Sequence, residues 1–401
     1  MLPLERAKRV VGVAAVNVVV LVGLVAFCEL ASSFFADKLA SNVANAYRLN
    51  HTWKPLGRQV HDEWIKSNPD FPEPYVHVYN RQGWIEDYDI EPAKDPNTYR
   101  IFYVGDSFVE GTAPMDQSVP SIVETYLNDR ASGKNMSFEV VNTGTSSYSP
   151  TIFYVLVRYV LMDYSPDLIV VVVDMTDDFD DWKYSETLIV DEHGNPWAVP
   201  ERDPYSAAFV DTGERVVKAD SWLRLQLFLA RHSYTYNLLQ RFVAPKENRA
   251  PPGAEDDDPG DEIYKRWSWC QREWDDLTRR NVASTLDLLE RLAVFCHENG
   301  VKVMFTAVPH YRQYAGRPDG TGEPAWSRRP HDEIARVAKE NGVPYLNSLD
   351  ALAPLIVGTP QRKYYYHRDM HFNPRGYRIW AEAHIGFISE RENDLLPEEF
   401  Y

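Results

Sequence analysis

From residue 99 onward, short apolar runs alternate with longer stretches whose apolar residues recur at helical spacing. The runs over 100–104, 138–142, 168–173, 301–306 and 344–346 predict strands, and the third is a nearly pure valine run of the kind a doubly covered central strand requires. Helices are predicted over 119–128, 151–163, 281–299 and 331–341, the last two ending at an Asn-Gly stop signal. This alternation predicts an α/β fold, a flavodoxin-like three-layer arrangement in which helices cover both faces of a parallel sheet.

The flanking regions read differently. Residues 10–28 carry no charge, have Asn17 as their only polar interruption, and follow Arg6, Lys8 and Arg9. That pattern predicts one transmembrane helix over 10–31 with a cytoplasmic tail of residues 1–9. A cleavable signal peptide is the competing reading, although Phe27-Cys28-Glu29 makes a poor cleavage site, and Phe27 also argues against a lipoprotein cysteine at Cys28. With the helix as anchor, the protein sits in the cell membrane as a single-pass chain and its main domain is periplasmic or extracellular. Residues 32–98 are aromatic and polar without a sustained period, so they predict a stalk and an irregular N-terminal segment. The alternating domain then spans 99–390, interrupted by a cap over about 182–274 whose 244–262 stretch is rich in Pro, Gly and Asp, and a tail covers 391–401.

Composition narrows the partners. A chain of 401 residues with 44% hydrophobic residues can bury one large core or two modest ones. Its 59 acidic and 42 basic residues leave a net charge of -17, which offers nucleic acid no basic field. Three cysteines exclude a disulfide scaffold, with Cys270 and Cys296 the one pair available outside the apolar N-terminal stretch.

Candidate chemistry begins at Gly105-Asp106-Ser107-Phe108-Val109-Glu110-Gly111, directly after the first strand of the alternation. Ser107 therefore falls at a strand-to-helix turn on the carboxyl edge of the sheet, where open α/β sheets place their sites. A serine hydroxyl needs a base, and backbone amides at such a turn can hold an oxyanion. Asp369-Met370-His371, just before Phe372-Asn373-Pro374 and a helical stretch, supplies His371 as general base and Asp369 as its orienting carboxylate.

Gly-Asp-Ser with a glycine four residues after the serine, joined to a C-terminal Asp and His before Asn-Pro, resembles the SGNH/GDSL hydrolases over roughly residues 99–390. The resemblance implies an oxyanion hole made by Ser107, Gly144 in Asn142-Thr143-Gly144, and the residue at position 177. There the sequence departs from the family. Met175-Thr176-Asp177-Asp178 stands where Gly-x-Asn-Asp is usual, and an ionised Asp177 cannot donate to an oxyanion. Either Asp177 is protonated, Thr176 or a backbone amide substitutes, or the hole is weak. Asp174, Asp177, Asp178, Asp180 and Asp181 form either a solvated acidic loop, the stronger reading, or a Ca²⁺ site. No metal and no cofactor is called for.

Asp106, Asp178, His310 and Tyr366 are candidate substrate contacts, His310 because it follows the fourth strand and Tyr366 because aromatics beside such a site can stack on a sugar. Upstream, Tyr79-Asn80-Arg81-Gln82-Gly83-Trp84 is similar to an Asn-x-x-Gly-aromatic segment of envelope-anchored SGNH proteins. The resemblance implies a serine esterase or O-acyltransferase acting through an acyl-serine on acyl, chiefly acetyl, esters of an extracytoplasmic carbohydrate, beside a membrane-bound O-acyltransferase. A lipase or lysophospholipase is one alternative, which the acidic cap disfavours at anionic lipid. A non-catalytic carbohydrate-binding or scaffold subunit is the other, motivated by Asp177.

Overall fold

The computed structural model describes residues 16–32, 57–61, 74–199, 217–218, 225, 229, 233, 235–236, 266–316, 324–367 and 369–401. Residues 16–32 form helix α1, along which the apolar side chains of Val16, Val19, Leu21, Val22 and Phe27 are each more than half exposed. Residues 1–15 lie outside the described residues, and among those described no helix is long and apolar enough to cross a membrane, so the spanning helix expected over 10–31 is not shown. The C-terminal end of α1 meets the inserted region: the Ser233 hydroxyl donates to Glu29, and the Ser32 and Thr235 hydroxyls lie 3.2 Å apart. The acidic 244–262 stretch of that region lies outside the described residues.

Strands β1 (Gly57–His61) and β2 (Tyr75–Tyr79) pair as an antiparallel hairpin ahead of the main domain. The turn after β2 is organised by Asn80, whose side-chain oxygen accepts the amides of Gln82 and Trp84, each at 3.0 Å. Gly83 takes a φ of 78°, which a side chain would resist. This turn buries Trp84 edge-on against Phe102, at 5.4 Å between rings.

The main sheet holds β3 (Thr98–Val104), β4 (Ser137–Asn142), β5 (Leu168–Val173), β9 (Lys302–Ala307) and β10 (Tyr345–Leu346) in the order β10-β9-β5-β3-β4, all parallel. Numbered along the chain, this is the 2-1-3-4-5 order of flavodoxin-like sheets. Every predicted strand of the alternation is present within a residue or two of its expected limits. The valine run becomes the central β5, enclosed along its whole length.

Alternation along each strand divides the core in two. Phe102 and Val104 of β3 and Ile169, Val171 and Val173 of β5 face one layer, with helices α4 (Pro150–Tyr159), α6 (Asp276–Glu298) and α8 (Arg329–Glu340). Ile101 and Tyr103 of β3 and Leu168, Val170 and Val172 of β5 face the other, with α3 (Val119–Ala131), α9 (Ser348–Ile356) and α10 (Pro374–Ile388). Buried area at about 25 cal/mol per Å² makes these two layers the main source of stability. The domain does not stop at residue 390: Leu395 and Leu396 are 1% exposed, and Phe400 packs edge-on against Phe138 of β4 at 5.5 Å. The tail expected over 391–401 is thus part of the core.

Between β5 and α6 the chain departs from the alternation through α5 (Asp177–Tyr184) and the small strands β6 (Ile189–Val190), β7 (Pro196–Ala198) and β8 (Val217–Lys218). The short helices α2 (Ser107–Glu110) and α7 (Tyr311–Tyr314) follow β3 and β9 at the carboxyl edge.

Candidate active site

The strand order reverses at β3, whose neighbours β4 and β5 leave in opposite directions, and Ser107 begins the turn immediately beyond it. Asp106 caps that turn by accepting the Phe108 amide at 2.9 Å. Two glycines let the chain pass closely here. A Cβ on Gly105 would stand 2.4 Å from the Val109 side chain, and one on Gly144 would stand 2.3 Å from the Glu110 amide nitrogen.

Ser107 Oγ lies 2.7 Å from His371 Nε2, and His371 Nδ1 lies 2.5 Å from Asp369 Oδ1. The same Asp369 oxygen accepts the His371 backbone amide at 2.8 Å, which is how a separation of two residues orients the ring. Asn373 caps α10 by accepting the amides of Arg375 and Gly376, and Tyr365 stacks on Phe372 at 4.5 Å, so the loop bearing His371 is fixed at both ends. Phe108 closes the face of the imidazole at 4.5 Å.

Burial, the largest single influence, works to depress the His371 pKa, but the charge and hydrogen bond of Asp369 together with the charges of Asp106 and Asp174 outweigh it and hold the ring above the usual histidine value. Burial would raise Asp369, and His371 with its two hydrogen bonds holds it below the usual carboxylate range. The pair therefore favours an ion pair when the ring takes a proton, which is what a base accepting the Ser107 proton requires.

The expected oxyanion donors are placed unequally. The Gly144 amide donates to Asn142 Oδ1 at 3.0 Å, while Asn142 Nδ2 donates to the Val109 carbonyl at 2.9 Å. Asp177 is fully enclosed, its Oδ2 accepts the Asp174 amide at 3.1 Å, and its Oδ1 has no hydrogen-bond partner among the described residues. The Ser107 amide stands at the first position of α2, among the N-terminal amides that no intrahelical carbonyl can reach.

None of the four expected substrate contacts presents an open side chain. Asp106 is 3% exposed and occupied as a cap, and Asp178 is fully enclosed. His310 is 2% exposed, with Nε2 at 2.6 Å from Asp174 Oδ1 and its ring accepting the Gln313 amide. Tyr366 donates to the Thr112 carbonyl at 3.0 Å and packs rather than projects. His367 is the exposed residue of that run.

The acidic run is not a solvated loop. Asp174, Asp177, Asp178, Asp180 and Asp181 are all less than a tenth exposed, because α5 turns beneath the carboxyl edge of the sheet. Asp181 is satisfied by the hydroxyls of Ser149 and Thr285 and the Thr151 amide. Burial pushes Asp180 up to about 7, against the pull of Arg266 and Lys183. Among the described residues no group of three or more His, Cys, Asp or Glu side chains could hold a metal ion. Cys270 and Cys296 are both free thiols.

Glu110 does not stand out in the sequence, although it lies inside the Gly-Asp-Ser block. Its carboxylate accepts the Tyr79 hydroxyl at 3.1 Å and both the amide and hydroxyl of Ser146 at 2.8 Å. An acid beside the apolar Phe108 and Val109 is the available signal. Through it the hairpin, the nucleophile turn and the loop after β4 are joined.

No protein-family model matches this chain, and no curated protein matches it. Solved structures with a similar arrangement include Axe2, an acetylxylan esterase from Geobacillus stearothermophilus, at 12% identity over 73% of this chain and 94% of that one, with a TM-score of 0.39. A two-domain esterase, CEX, active on acetylated mannans, matches at 10% identity over 75% of this chain and 51% of that one, with a TM-score of 0.39. A putative lipolytic protein of the G-D-S-L family from Desulfitobacterium hafniense DCB-2 matches at 9% identity over 72% and 98%, with a TM-score of 0.35. At these values the substrate and the chemistry have to come from this chain's own residues.

Proposed function

We propose that this chain is a serine esterase or O-acyltransferase of SGNH type, acting on acetyl or similar acyl esters of a carbohydrate outside the cytoplasm. The observation that carries the reading is the unbroken line from Ser107 through His371 to Asp369, at 2.7 and 2.5 Å. Ser107 attacks the ester carbonyl as His371 Nε2 takes its proton. Asp369 steadies the resulting imidazolium, and the Ser107 amide receives the oxyanion. His371 then returns the proton to the departing alcohol, and water or a sugar hydroxyl releases the acyl group from Ser107.

Membrane anchoring through the segment that includes α1, and a membrane-bound O-acyltransferase as neighbour, belong to the same proposal. The exposed valines, leucines and Phe27 of α1 support the anchor. A non-catalytic binding role is the second reading, favoured by the Gly144 amide being engaged by Asn142.

The deciding experiment measures acetate release from p-nitrophenyl acetate and from an acetylated polysaccharide, with Ser107→Ala as control, alongside fluorophosphonate labelling. Ser107-dependent turnover with preference for the polysaccharide is expected. No turnover and no labelling would leave the binding reading in its place.

A further inference from the structure

We infer that His310, held by Asp174, is a positioning residue that braces the end of the inserted region against the nucleophile turn and so keeps the His371 ring in reach of Ser107. The consequence for turnover rests on the esterase reading, whereas the placement of the His371 ring does not.

The Phe108 ring touches two imidazoles, His371 at 4.5 Å and, edge-on, His310 at 5.2 Å. Phe108 is also the residue after Ser107, and its amide is fixed by the Asp106 cap at 2.9 Å. A displaced Phe108 therefore acts on both partners of the 2.7 Å contact between Ser107 and His371.

His310 is itself held on every polar atom of its ring. Nε2 lies 2.6 Å from Asp174 Oδ1, and the ring accepts the Gln313 amide at its other nitrogen, so Nε2 carries the proton that Asp174 receives. The Gln313 side-chain oxygen in turn accepts the His310 amide at 2.9 Å, and its Nε2 donates to the Ser327 carbonyl at 3.1 Å. Asp174 Oδ2 accepts the amide of Thr176 at 3.1 Å and its hydroxyl at 2.6 Å, so the same carboxylate shapes the turn into α5. With both nitrogens committed and 2% of its surface exposed, His310 has no group to offer a substrate hydroxyl, which excludes it as a second base.

The returning end of the inserted region leans on this ring. Trp267 meets His310 edge-on at 5.2 Å, Trp326 lies 5.4 Å from it, and the two indoles lie 4.4 Å apart. Arg312 of α7 covers Trp326 at 5.2 Å. A continuous line of ring contacts thus runs from Trp267 through His310 and Phe108 to His371, at separations where aromatic geometry is selective. Histidine supplies a flat ring and a donor at once. Phenylalanine would keep the ring and leave the buried Asp174 carboxylate short of a donor, and glutamine would keep a donor and lose the ring.

The test uses the full-length chain with His310→Gln, Trp267→Ala and the double variant. Turnover is read as kcat and KM per fluorophosphonate-labelled Ser107, which removes misfolded chains from the count. The ring nitrogens of His371 are followed by NMR of isotope-labelled histidine, assigned with His371→Gln. His310→Gln is expected to lower kcat about tenfold with KM within about twofold, and Trp267→Ala to lower kcat about threefold. The double variant falls no further than His310→Gln, as residues acting along one path require, and the His371 signals move in both single variants. Losses that multiply in the double variant overturn the link to the inserted region. An unchanged kcat in folded His310→Gln overturns the positioning of His371. Should His310→Gln not fold, Trp267→Ala decides, and His371 signals that stay in place there overturn the proposal. Moved signals in a chain that cleaves no ester leave the positioning standing and remove the esterase reading.

Discussion

Glu110 Oε2 receives both the amide and the hydroxyl of Ser146 at 2.8 Å, while Oε1 receives Tyr79 at 3.1 Å. One buried carboxylate thus ties the end of the nucleophile turn to the loop after β4 and to the N-terminal hairpin. Glu110→Ala removes the acceptor of all three bonds. It is expected to cost about 2–4 kcal/mol, with Glu110→Gln costing less, as read from urea unfolding midpoints.

Gly144 is required for closeness rather than for an unusual backbone angle, since an added Cβ would meet the Glu110 nitrogen at 2.3 Å and the Val109 carbonyl carbon at 2.6 Å. Those atoms are backbone and cannot rotate aside. Gly144→Ala is therefore expected to lower stability by about 1–3 kcal/mol and to reduce kcat through displacement of Ser107, measured by thermal unfolding and ester turnover.

On the proposed esterase reading, the acid limb of the pH profile is expected to belong to His371, which must be neutral to take the Ser107 proton. With its pKa held up by Asp369, kcat/KM rises with pH through a value above the ordinary one of about 6.5. Asp369→Asn is expected to move that limb to lower pH and to cut kcat by about 10⁴-fold, which a pH-rate series would show.

The same shifts set a stability window. The raised His371 contributes stability below its unfolded pKa and loses it as pH rises through the folded value. The lowered Asp369 contributes above its unfolded pKa and loses it as pH falls through the folded value. Both act together between about pH 4 and 6.5, and chemical unfolding of wild type and Asp369→Asn across that range is expected to diverge most there.

What the sequence made legible was whatever follows from period and position. The valine run announced β5 because a strand covered on both faces needs no polar side, and the Gly-Asp-Ser turn announced its own place because it follows a strand. The acidic run misled because five aspartates look solvated until Ser149, Thr151, Thr285 and His310, from distant elements, are seen to satisfy Asp181 and Asp174. His310 and Tyr366 pointed to substrate by their location on the correct edge, but location does not reveal that each has already found an internal partner. Glu110 was hidden because its three donors come from segments far apart in the chain.

Ser107 and His371 stand 264 residues apart, and the chain beyond His371 still contributes α10 and the buried Phe400. A polypeptide growing from its N-terminus therefore carries its nucleophile for most of its synthesis without the base that would arm it. On the proposed esterase reading, turnover begins when the last segment docks, and a product truncated before His371 is expected to be inert toward esters.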